Sequence, residues 1–83
     1  MHPMWAYIFP DSKISVSREG RVRITGVLAP YQNRIAFFIN ELGLRNMTIR
    51  HGSGRFYFPH SLDAGTQQRL RNFLLAECPL ARG

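Results

Sequence analysis

The stretch GRVRITG (residues 20–26) sets Arg21 and Arg23 either side of Val22, with Ile24 following. In a strand, successive side chains point to opposite faces. The two aliphatics would then share one face and both arginines the other. A second stretch, TIRHGSGRFYFPH (residues 48–60), repeats the arrangement with Arg50, Arg55 and Tyr57. A guanidinium is planar, always charged, pairs with phosphate and stacks on flat rings. Platforms for single-stranded nucleic acid combine such cations with aromatics that stack bases. Arg21, Arg23, Arg50, Arg55 and Tyr57 are therefore the candidate nucleic-acid-binding residues. Tyr57 is the one aromatic among them, so the aromatic-rich signature of the common RNA-recognition sheet is missing. A solvated basic face and a protein interface are the competing readings.

Other chemistry finds less support. Arg50, His51, Arg55 and His60 surround two glycines, and successive backbone N–H groups there could cradle a phosphate. The stretch has neither a GK[ST] motif nor a helix directly behind it, and a plain hairpin turn accounts for it. His2, His51, His60 and Cys78 are the soft metal ligands, at spacings that match no zinc arrangement. No metal or cofactor is expected. The acids Asp11, Glu19, Glu41, Asp63 and Glu77 are scattered, with no pair at helical spacing. Ser61 beside His60 is a sequence neighbour, not a nucleophile in reach of a base. No catalytic residue emerges, and the expectation is a protein that is not an enzyme.

The totals point the same way. The chain has 83 residues, which is one domain, with net charge +6 and pI about 10.8. A basic balance suits polyanionic partners, nucleic acid first among them. Ten of the eleven basic residues are arginine, a skew that genome base composition also produces. The single cysteine, Cys78, excludes an internal disulfide and fits a cytoplasmic location. It reads as a small apolar residue closing a helix, with an intermolecular disulfide as the sharper alternative. A membrane span takes about 20 apolar residues, and no such run occurs. The opening MHPMWAYIFP is too short for one and lacks the features of a signal peptide.

Residues 1–12 read as an apolar arm, with Trp5, Tyr7 and Phe9 alternating between Pro3 and Pro10. Residues 13–80 read as the domain. Residues 13–27 form a hairpin in which a three-residue loop, Arg18-Glu19-Gly20, sets Val16 opposite Val22 and Ile14 opposite Ile24. That loop needs a left-handed residue last, where Gly20 stands. Residues 30–43 carry a helical stripe of Tyr31, Ile35, Phe38, Ile39 and Leu42, with Gly43 as C-cap. Residues 46–58 read as a second hairpin. A Gly52-Ser53 loop there sets Ile49 opposite Phe56 and Met47 opposite Phe58. Residues 62–77 carry the second stripe, Leu62, Thr66, Leu70, Phe73, Leu74 and Cys78, capped by Asp63 or Ser61. Within it, QQRLRN (residues 67–72) reads as a solvated helix face or a polar one for DNA.

The fold expected is α+β: a ββαββα two-layer sandwich, with a four-stranded antiparallel sheet and two helices on one face. The other face would carry Ser15, Ser17, Arg21, Arg23, Thr25, Thr48, Arg50, Arg55 and Tyr57 and no acid. Sheet edges need cover, from the arm or a second copy. Trp5, Tyr7, Phe9 and Phe37 fall outside the core plan and are the candidate protein interface. A homodimer is the commonest answer to such leftover aromatics.

The run GRFYFPHSLDAGTQQRLRNFLL (residues 54–75) has Phe58 and Pro59 closing a strand, then Gln68, Arg69, Arg71 and Asn72 on a final helix. In this it resembles the end of a small bacterial family of uncharacterised function, loosely over residues 14–75. The resemblance implies a bacterial protein and no active site. It also implies an N-terminal membrane segment, where this chain has only the short MWAYIF.

Overall fold

The computed structural model describes residues 11–82. Strands β1 (Ser12–Val16) and β2 (Val22–Gly26) form the first hairpin. A 3-10 turn (Ala29–Tyr31) leads into helix α1 (Gln32–Glu41). Strands β3 (Met47–Gly52) and β4 (Arg55–Tyr57) form the second hairpin, and helix α2 (Ala64–Glu77) runs into a closing 3-10 turn (Pro79–Arg82). The sheet order is β2-β1-β3-β4, all antiparallel. Ile14, Ile24 and Ile49 are buried with Ile35 and Ile39 of α1 and Leu70 and Leu74 of α2. The α+β sandwich is the expected one, with both helices on one face.

The first hairpin has the expected register, Val16 facing Val22 and Ile14 facing Ile24. Gly20 sits at φ +88°, and its N–H donates to the Ser17 carbonyl at 3.0 Å. The second hairpin corrects the reading. Its loop is Ser53-Gly54, with His51 opposite Phe56 and Arg50 opposite Tyr57. Both loop residues are left-handed, at φ 53° and 74°. Two such residues make the primed turn whose twist matches the strands. The expected Gly52-Ser53 loop placed its glycine one position too early. The resulting slip moves each partner by two residues, so no side chain changes face.

Both helices end as their sequences direct. After α1, Gly43 at φ 70° donates to the Asn40 carbonyl, and Leu44 N–H donates to Ile39. This is the paired Schellman closure. At the start of α2, Asp63 rather than Ser61 is the cap, accepting from Thr66 N–H at 3.0 Å and from the Thr66 hydroxyl at 2.8 Å. The hydroxyl contact first, then the backbone one, holds the Asp63 carboxyl below the usual carboxylate range. The cap therefore adds stability above that range and loses it as pH falls through the folded value. Phe38 of α1 and Phe73 of α2 stack at 4.1 Å between ring centroids and join the helices.

Two features lie outside the expected plan. Pro79 ends α2 but opens a 3-10 turn that returns to the core, where Ala81 is fully buried. The turn is held by His51, buried on the helix side of β3, whose Nε2 lies 2.8 Å from the Ala81 carbonyl. The β2 edge is also closed from within. The Gln32 carboxamide donates to the Val22 carbonyl at 2.7 Å and accepts from Ile24 N–H at 3.0 Å. One side chain thus fills two ladder positions that an added strand would need.

Gly26 and Gly43 both have positive φ, at 89° and 70°. A Cβ on Gly26 would overlap the Asp11 carbonyl oxygen and stand 2.8 Å from the Ser12 Cα, whereas a Cβ on Gly43 meets nothing within 4 Å. Gly43→Ala should cost about 1–2 kcal/mol from φ alone. Gly26→Ala should cost at least ~3 kcal/mol, because backbone must also move. Urea unfolding of the two variants checks the order.

Candidate nucleic-acid interface

Strand alternation builds the outer face of the sheet. One row crosses all four strands as Thr25, Lys13, Arg50 and Tyr57. The next row is Arg23, Ser15 and Thr48. Arg55 stands level with Gly52 at the β4 end of the sheet. Arg21 lies just before β2, with its N–H bonded to the Ser17 Oγ at 3.0 Å. The candidate residues Arg21, Arg23, Arg50, Arg55 and Tyr57 are therefore gathered on one face, as expected. Lys13, Arg21, Arg23 and Arg55 are exposed, while Arg50 and Tyr57 are half-buried.

Lys13 was not among the residues picked from the sequence. Extending the Ile14 alternation back by one residue would have found it. Its place opposite Arg50 matters, because directly opposed side chains stand about 5 Å apart at Cβ. Like charges directly opposite one another are destabilising. Among the described residues, no strand residue on this face is acidic. Asp11 and Glu19 lie at the rim and in a turn.

Two hollows flank the basic row. One, about 260 Å³, is lined by Ser15, Val16, Ser17, Arg21 and Arg23. The other, about 390 Å³, is lined by Thr48, Arg50, Tyr57, Phe58, Pro59 and His60. They offer hydroxyls, guanidinium groups and, in the second, flat rings. Basic groups and aromatic rings are the kinds of group that nucleic-acid-binding grooves combine.

The remaining candidates fall elsewhere. His51 is turned into the core, so it does not join Arg50 and Arg55. The turn between β3 and β4 is no anion cradle, because Ser53 N–H already donates to the Asp11 carboxylate at 3.1 Å. On α2, Gln68 bonds Asn72 at 3.0 Å and Arg71 at 3.5 Å along its outer side. Cys78 is fully buried, and desolvation pushes its thiol pKa up, so it is poorly placed for an intermolecular disulfide. Phe37 is 68% exposed on α1. Trp5, Tyr7 and Phe9 lie outside the described residues. Among the described residues, no three of His, Cys, Asp and Glu gather, and no helix is long and apolar enough to cross a membrane.

No family model, curated protein or solved structure matches the chain.

Proposed function

We propose that the protein is a non-catalytic cytoplasmic module that binds single-stranded nucleic acid across the outer face of its sheet. The observation that carries this reading is the cationic row itself. Lys13 faces Arg50 on the neighbouring strand, with Arg23, Arg21 and Arg55 around them. A chain of phosphates brings negative charge to this row of cations. The arginines neutralise phosphates, and Tyr57, opposite Arg50, is the aromatic of this face.

Sheet width favours a single strand over a duplex. Three interstrand spacings put the outer strands about 14 Å apart before side chains are added. The major groove is about 12 Å wide and admits a helix or a two-stranded ribbon. A four-stranded face lies across a duplex and not within its groove.

Labelled single-stranded RNA and DNA, titrated at two salt concentrations and read by fluorescence anisotropy, test the reading. Wild-type protein should bind with a salt slope built from about 0.7 per phosphate. Arg23→Glu with Arg50→Glu should abolish binding while the circular dichroism spectrum of the folded protein is retained. Absence of binding at low salt, or equal binding by the double variant, would remove the proposal.

A second reading rests on Phe37, whose exposed ring suits burial against another protein, a second copy first. It calls for a dimer that persists at high salt in sedimentation and dissociates in Phe37→Ser. A monomer under all conditions excludes it.

A further inference from the structure

The two edges of the sheet are treated differently. The β2 edge is occupied by the Gln32 carboxamide, which takes the Ile24 N–H and the Val22 carbonyl. Among the described residues, the β4 edge has no such plug. In a hairpin closed by a two-residue turn, the flanking pair, Gly52 and Arg55, exchanges both ladder bonds. The next pair, His51 and Phe56, therefore does not. The Phe56 N–H and C=O point away from β3, out of the sheet.

These groups open into a groove of about 350 Å³ between β4 and α2, lined by Gly54, Arg55, Phe56, Tyr57, Arg71 and Leu75. No acid lines it. Arg55 is exposed at one side, and Arg71 stands at the other, its guanidinium 5.3 Å from the Phe58 ring centroid. Arg82 is added nearby, its Nε donating to the Leu75 carbonyl at 2.9 Å. The groove thus joins one unpaired peptide group, an apolar floor at Leu75 and three cations.

We propose that this edge is a strand-addition site for an extended acidic peptide segment of a protein partner. Phe56 would exchange both backbone bonds with the added strand, which brings its own N–H and C=O together. A phosphodiester backbone fits less well, since it has acceptors for the N–H but no donor for the outward carbonyl. Alternate side chains of the peptide point to opposite faces. On the outer face its carboxylates meet Arg55. On the helix side its apolar residues lie over Leu75 and the stem of Arg71. This site shares Arg55 and Tyr57 with the outer face of the sheet, but its readout, the Phe56 amide, does not depend on nucleic-acid binding.

The probe is a fluorescein-labelled octapeptide alternating valine and glutamate, added to the full chain, with a valine–lysine peptide as control. The acidic peptide should bind with sub-millimolar affinity and the basic one should not. Arg55→Glu with Arg71→Glu should weaken binding at least tenfold, while Arg23→Glu leaves it within twofold. In hydrogen exchange, the Phe56 amide should exchange quickly in the free protein and slow at least tenfold with peptide. The proposal is overturned by any of three results: no binding at millimolar peptide, equal binding of both peptides, or a Phe56 amide unaffected by a bound peptide. Competition by single-stranded RNA that displaces the peptide, with the Phe56 amide still exposed throughout, would reassign the groove to nucleic acid.

Discussion

The buried isoleucine row of the sheet, Ile14, Ile24 and Ile49 at one level, decides where everything else must stand. Each of these side chains contributes about 2 kcal/mol by leaving water. The gain is available on one face only, because one face is where the two helices bring Ile35, Ile39, Leu70 and Leu74. Strand geometry then sends the alternate residues outward. Lys13, Arg23 and Arg50 stand on the far side because their neighbours are held on the near side. The cationic face is in this sense bound to the core: slipping one strand by one residue would bury a guanidinium and expose an isoleucine.

Holding that register falls to a few local devices. Gly20 and the Ser53-Gly54 pair supply left-handed turns that fix the two hairpins. Gly26 lets the chain leave β2 against the Asp11 carbonyl, which accepts from Val27 N–H at 3.0 Å. Gln32 seals one sheet edge with a single carboxamide. His51 ties the closing turn to β3 by its contact with Ala81. A small domain has little core to spare, and these contacts hold its boundary where packing alone is thin. Among the described residues, the β4 edge lacks such a seal and so differs from the β2 edge.

The hydrophobic pattern carried most of the fold. Alternation in SKISV and VRITG and the stripe of α1 were legible because apolar side chains repeat at the period of each element. The basic face followed from the same alternation. Three things were not legible in this way. The second hairpin contains GSG, and a glycine on either side of Ser53 leaves the turn free to sit at Gly52-Ser53 or Ser53-Gly54; the backbone twist decides, not the composition. The Gln32 plug is a polar side chain at a helix start, and its value appears only when β2 is placed beside it. The burial of His51 requires the chain end to return across β3, which no local pattern announces after Pro79.

The central claim is that the sheet face, and not the helical layer, meets nucleic acid. The most direct measurement is an amide and arginine side-chain NMR titration of the full chain with an unlabelled single-stranded oligonucleotide. The account predicts shifts concentrated on Lys13, Arg23, Thr25, Thr48 and Arg50, which share the outer rows of the sheet. Shifts confined to the helices, at Arg34 and Arg69 for example, would contradict it.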